Sequence, residues 1–355
     1  MMFDRPSRIA ALAAFLALAA TLPVKAETAA RDLFGAKTQP SAQGSEAYGF
    51  YSHGCLAGGV GMPKNGETWQ VMKPSRNRAW GHPALIAFLQ RLSREAAAED
   101  NWRGLLFGDM AQPRGGPMKN GHASHQIGLD ADIYLTEMPN RRLTDDERDN
   151  MDLPSVIDPR TKHVDERRWR PEMLKLIRTA ARSPEVQRIF VNPGIKEKLC
   201  KTATGDRKWL NKVRPMYGHD YHFHVRMYCQ PGESGCEPQE STGGAEGCDL
   251  DWWFNVALKP PKPGAKPPKP RPPMTMAALP NACRSVLAAP ARDGGTAVAA
   301  RRASPPQEMA PSDSEVPPEA PQAMPAMAQT PSPLRSSFAP VPPAAVPIPG
   351  SRPLQ

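Results

Sequence analysis

Apolar and polar positions alternate along this chain in blocks whose period changes. From His82 to Glu99, Leu85, Ile86, Leu89 and Leu92 recur at helical spacing, which predicts an amphipathic helix. Leu105-Leu106-Phe107 is a short apolar run and predicts a strand, whereas Asp109–Asn120, rich in Gly and Pro, predicts a loop. Asp130–Leu135 (DADIYL) predicts a second strand. Glu172–Ala181 is again amphipathic at helical period, with Pro171 in a first-turn position where its missing N–H costs nothing. Arg188–Asn192 (RIFVN) and His222–Tyr228 (HFHVRMY) predict two more strands, and Glu27–Tyr51, polar and turn-rich, an extended lead-in. Helix and strand signals interleave irregularly. That predicts an α+β fold, a small antiparallel sheet flanked by helices, rather than a doubly wound one.

The two ends have a different character. Arg5 and Arg8 precede an apolar run over Ile9–Leu22, and Val24-Lys25-Ala26 offers a cleavage site, so 1–26 reads as a secretory signal. The run is too short for the ~20 residues that span hydrocarbon, so no stable membrane insertion is expected. Lys259–Arg271 (KPPKPGAKPPKPR) carries cations and prolines with no anion and predicts a stiff polyproline stretch. From about Pro290 the chain is Pro, Ala, Ser, Glu and Met without period, which predicts disorder. The division is therefore signal 1–26, lead-in 27–50, domain 51–258, Lys/Pro strap 259–289 ending at Cys283, and tail 290–355.

Composition sharpens this picture in three places. Of 355 residues 42 are proline, and 15 of those lie in 301–355, so much of the length is not domain. The formal charge of +9 suits an anionic polymer as partner; nucleic acid, the other common polyanion, is set aside because the chain carries an export signal. Six cysteines, an even number with no C-x-x-C, predict three disulfides in an oxidising compartment. Cys229 and Cys236, seven apart across Pro231-Gly232, are close enough to close a local loop.

Histidine carries the chemistry. Five of the eight histidines fall in two clusters, GHASHQIGLDAD (121–132) and HDYHFH (219–224). His222 and His224, two apart on a strand, project from one face while Phe223 and Val225 take the other, and Asp130 and Asp132 likewise share a face. A loop His, a strand Asp seven residues on and a His from another strand offer three ligands and one open position, the pattern of catalytic zinc. His53 and His82 read as structural.

These two clusters resemble the penicillin-insensitive murein endopeptidase family. The likeness runs from about Tyr51 to Cys283, through GHPALIAFLQRL, GDMAQPRGG, RIFVNPGIKEKLC and KVRPMYGHDYHFHVR. It implies a zinc endopeptidase, related to lysostaphin-type enzymes, D-Ala-D-Ala peptidases and the hedgehog domain. Its substrate would be the D-alanyl–meso-diaminopimelyl cross-link between peptidoglycan stem peptides in the periplasm. Carried over by the resemblance, His125, Asp132 and His224 are zinc ligands, and His222 and His219 are acid/base and transition-state-stabilising groups. His122, Asp158 and His163 make further metal contacts, although the Asp-to-His spacing in DPRTKH is longer than the family pattern. The resemblance also pairs Cys200 with Cys248, which leaves Cys55 for Cys283. The absence of S-x-x-K removes the serine that penicillin acylates. Two alternatives remain open at this point. One is a D,D-carboxypeptidase or D-Ala-D-Ala dipeptidase on the same site; the other is a wall-binding protein with structural zinc. No partner is assigned to the tail.

Overall fold

The computed structural model describes residues 27–119, 122–260, 264 and 272–292. The signal segment, most of the Lys/Pro stretch and the tail from residue 293 lie outside the described residues. In chain order the helices are α1 (Ala30–Gly35), α2 (Pro83–Glu99), α3 (Asp145–Asn150), α4 (Pro171–Arg182), α5 (Pro193–Thr202) and α6 (Ala282–Ala288). The strands are β1 (Glu46–Phe50), β2 (His53–Ala57), β3 (Val60–Gly61), β4 (Asn65–Gly66), β5 (Trp69–Val71), β6 (Trp80–Gly81), β7 (Leu105–Phe107), β8 (Asp130–Tyr134), β9 (Val186–Val191), β10 (Val213–Pro215) and β11 (His222–Met227).

Seven strands form the main sheet in the order β10-β9-β11-β8-β7-β5-β4. The α+β class stands, but the sheet is larger than expected and mixed. It is antiparallel through its centre, β9-β11-β8-β7, parallel in the pairs β10-β9 and β5-β7, and antiparallel again at the β4-β5 edge. The central strands are buried on both faces, so their alternation separates chemistry from packing. Ala131, Ile133, Phe223 and Val225 join one hydrophobic cluster with Leu85, Leu89 and Leu92 of α2 and Leu176 and Ile177 of α4. Asp130, Asp132, His222, His224 and Arg226 occupy the other face, also buried.

Both long helices start as their sequences predict. Pro83 and Pro171 sit in first turns. His82 caps α2: its Nδ1 accepts the Ala84 N–H at 3.2 Å, and its Nε2 lies 2.9 Å from Glu233.

The expected extended lead-in is corrected. Residues 27–50 contain α1 and β1, and Ala30 and Phe34 belong to a second, smaller core with Cys55, Ala57, Met276, Leu279, Cys283 and Val286. The segment could not be read as helix because six residues carry too little periodicity to announce themselves, and burial against the strap stabilises what propensity alone does not. The three disulfides join Cys55 to Cys283, Cys200 to Cys248 and Cys229 to Cys236. Arg114, buried, donates to the carbonyls of Val286 at 2.8 Å, Leu287 at 3.1 Å and Ala289 at 2.7 Å, satisfying acceptors that the end of α6 leaves free. The tail boundary also moves. Pro290, Ala291 and Arg292 pair with residues 40–43, the Ala42 N–H donating to Pro290 O at 2.9 Å and the Arg292 N–H to Pro40 O at 3.0 Å.

Candidate metal centre

Register brings the two clusters together. β11 runs antiparallel to β8 with His224 opposite Asp132 and Arg226 opposite Asp130. The loop before β8 then folds back over the sheet. Gly128 makes this possible: at φ +73° it adopts a conformation that other residues resist, and a Cβ there would meet the Leu56 side chain and the His82 backbone. Gln126 ties the same loop to the β1–β2 hairpin, accepting from the Gly54 N–H at 3.1 Å and donating to Ser52 O at 2.7 Å.

Asp132 is the hub. Its Oδ1 lies 3.3 Å from His224 Nδ1, 3.4 Å from His125 Nε2 and 3.7 Å from His222 Nε2. Its Oδ2 lies 3.8 Å from His122 Nδ1. The candidate ligand atoms of His122, His125 and Asp132 all lie within 4.8 Å of one another. His219 completes the group from the rim, its ring 4.9 Å from that of His222. His219 Nδ1 faces the Tyr217 carbonyl at 2.8 Å, so that nitrogen carries the proton and Nε2 is left as an acceptor.

The residues fit a metal ion. Both ring nitrogens of His125, Oδ1 of Asp132, Nδ1 of His222 and Nε2 of His224 are buried without a hydrogen-bond partner. Buried polar atoms are normally satisfied; two of these orphans, His125 Nε2 and Asp132 Oδ1, lie 3.4 Å apart, and a cation held between them would satisfy both. Two imidazoles and one carboxylate whose ligand atoms lie within 4.8 Å of one another also match zinc's preferred donors.

Electrostatics in the metal-free protein follow from burial and crowding. Burial alone would raise the Asp132 carboxyl, but the flanking His125 and His222 hold it well below the usual carboxylate range. Burial pushes His222 below its ordinary value, and pushes His219 down to about 3 with help from His222 and His224. His224 goes the other way: burial is outweighed by Asp130 and Asp132, and its value rises.

Two expected metal contacts fall elsewhere. His163 Nδ1 lies 2.6 Å from Glu197 Oε2 and its ring stacks on Phe254, while Asp158 accepts the Arg160 N–H at 2.8 Å and pairs with the Arg160 side chain. Neither joins the groups gathered around Asp132. Asp158 belongs instead to the wall of a neighbouring cleft of about 730 Å³, which Arg160, Lys162, Tyr217, Gly218 and Asp220 also help to line. Asp109 was not foreseen. Its carboxylate, buried at the start of the glycine-rich loop, binds His122 Nε2 at 2.9 Å, Arg76 at 3.1 Å and Arg78 at 3.0 Å. A single Asp opening a loop carries no signal of its own in sequence.

Comparison with known proteins agrees with this geometry. The sequence model of a family described as penicillin-insensitive murein endopeptidase matches residues 47–288. A penicillin-insensitive murein endopeptidase of Haemophilus influenzae is 43% identical over 260 residues, covering 71% of this chain and 86% of that protein. One from Klebsiella pneumoniae is 40% identical over 252 residues, covering 70% and 89%. One from Yersinia enterocolitica is 39% identical over 272 residues, covering 76% and 97%. The chain is thus a peptidase. It belongs to the penicillin-insensitive murein endopeptidase family.

Proposed function

We propose that this murein endopeptidase is zinc-dependent and hydrolyses D-alanyl–meso-diaminopimelyl cross-links between stem peptides, in the periplasm, after export by the segment 1–26. The observation that carries the reading is the placement of His125 Nε2 and His224 Nδ1 at 3.4 and 3.3 Å from Asp132 Oδ1, with His222 and His219 beside them. Export is supported by the apolar run before Ala26 and by three disulfides, which suit an oxidising compartment.

His125, Asp132 and His224 would hold the ion, with His122 near enough to contribute. A zinc ion so bound supplies a Lewis acid and a water acidified to a pKa of about 7. The protein's own groups handle the protons. His222, uncharged at neutral pH because burial disfavours its cation, accepts the proton of the attacking water and returns it to the departing amine. His219, with Nδ1 tied to Tyr217, presents Nε2 toward the same region and keeps the His222 ring in register. No acylating serine takes part, which is the physical sense of insensitivity to penicillin.

The test is digestion of purified sacculi and cross-linked muropeptide dimers with and without a chelator. Monomers released only when metal is present are expected. Loss of a terminal alanine instead would mean a carboxypeptidase, and intact dimers in the presence of zinc would mean a binding protein.

A further inference from the structure

One pleat below the Asp132–His224 pair, on the same sheet face, Asp130 and Arg226 face each other across β8 and β11. Asp130 is fully buried. Arg226 grips it with two parallel bonds, Nε to Oδ1 at 2.9 Å and Nη2 to Oδ2 at 3.0 Å. The guanidinium cannot drift. It lies 4.1 Å from the Tyr51 ring centroid and 5.0 Å from that of Phe190, and Nη1 donates to Gln239 at 2.9 Å.

What Asp130 does with its remaining capacity is the informative part. Oδ2 also accepts the backbone N–H of His125 at 3.0 Å. His125 stands at φ +65°, a strained region that residues with a Cβ keep only when their surroundings hold them there. Oδ1 faces His224 Nε2 at 3.3 Å, while the other nitrogen of that ring, Nδ1, points to Asp132. A carboxylate behind one nitrogen fixes which nitrogen is free to bind metal.

We propose that Asp130 is the positioning residue of the metal centre: one carboxylate, clamped by Arg226, orients two ligands from different segments, the backbone of His125 and the ring of His224. The inference rests on the metal reading above. It assigns work to a residue that the H-x6-D pattern passes over, and it explains why a buried Arg lies two residues beyond the H-x-H pair. A buried ion pair retained for packing alone would show the same bonds, since replacing such a pair is often neutral for stability. Metal affinity separates the two.

The experiment is a competition titration of zinc against a chromogenic chelator, with thermal melts of the metal-free proteins alongside. Asp130→Asn is expected to weaken zinc binding about 10–100-fold, because an amide can accept at only one of its two ends. If the unpaired Arg226 prevents that variant from folding, Asp130→Asn combined with Arg226→Gln removes the buried cation and is expected to fold with the same loss. Nitrogen-15 spectra of the zinc-loaded unsubstituted protein should show His224 bound through Nδ1 with Nε2 protonated. A folded Asp130 variant that binds zinc as tightly as the unsubstituted protein would overturn the inference, as would His224 bound through Nε2. Failure of the unsubstituted protein to take up zinc would overturn the metal reading, and this inference with it. Tight zinc without murein cleavage would overturn only the proposed activity.

Discussion

His224 and Asp132 stand directly opposite each other across β11 and β8, with Nδ1 3.3 Å from Oδ1. The pairing sits at the centre of a seven-stranded sheet, where neighbouring strands on both sides prevent either residue from shifting. A one-residue slip of β11 would turn His224 to the packed face and away from Asp132. The site is therefore held by strand register, which is set by the whole core.

His125→Ala, Asp132→Ala and His224→Ala should each lose stoichiometric zinc and murein cleavage together, because each removes one of the three proposed donors. Metal analysis of the purified variants checks this. Full zinc content and turnover in all three would sink the ligand assignment.

His222→Ala should behave differently. Its Nε2 lies 3.7 Å from the hub carboxylate, and its expected task is proton transfer, so zinc should stay while turnover falls about 10²–10⁴-fold. Loss of zinc in this variant would make His222 a ligand instead.

The cap of α2 should make stability depend on pH. Burial pushes the His82 imidazole down to about 4 from 6.5. Between those values the unfolded chain binds a proton that the folded chain refuses, so stability falls as pH drops from 6.5 toward 4. At pH 5 the loss is about 2 kcal/mol. His82→Asn keeps an N-cap acceptor and removes the titration. Urea titrations at pH 7 and pH 5 should show a smaller drop for the variant; equal drops would mean that His82 is not the titrating group.

The Cys55–Cys283 bridge closes a span of 228 residues. In the chain-entropy model so long a loop is worth about 5 kcal/mol, less any native strain. Replacing both cysteines with serine should lower the melting temperature markedly and expose the cut sites between 272 and 292 to protease. An unchanged melt would mean that the core around Phe34 and Val286 holds the strap unaided.

Truncation should locate the domain's end. Removal of everything after Arg292 should leave melting and murein cleavage unchanged. A cut after Ala289 should lower the melting temperature, because it deletes the backbone pairing of 290–292 with 40–43. Identical melts for the two truncations would show that this pairing contributes nothing.

How far the sequence alone determined this protein follows from the range of each interaction. Leu85, Ile86, Leu89 and Leu92 announced α2, and the alternation in DADIYL and HFHVRMY announced β8 and β11, because periodicity is a property of consecutive residues. The same alternation put Asp130 with Asp132 and His222 with His224 on shared faces, so most of the candidate site was legible. Only the tertiary structure set His224 opposite Asp132, brought Asp109 under His122 and Arg226 under Asp130, and turned His163 away to Glu197. Each of these meetings joins residues far apart in the chain or depends on how a loop packs, and local spacing carries no record of which distant segment will be the neighbour. The lead-in hid its helix for the same reason: Phe34 is buried by Cys283 and Val286, some 250 residues later, and no pattern within 27–50 encodes that burial.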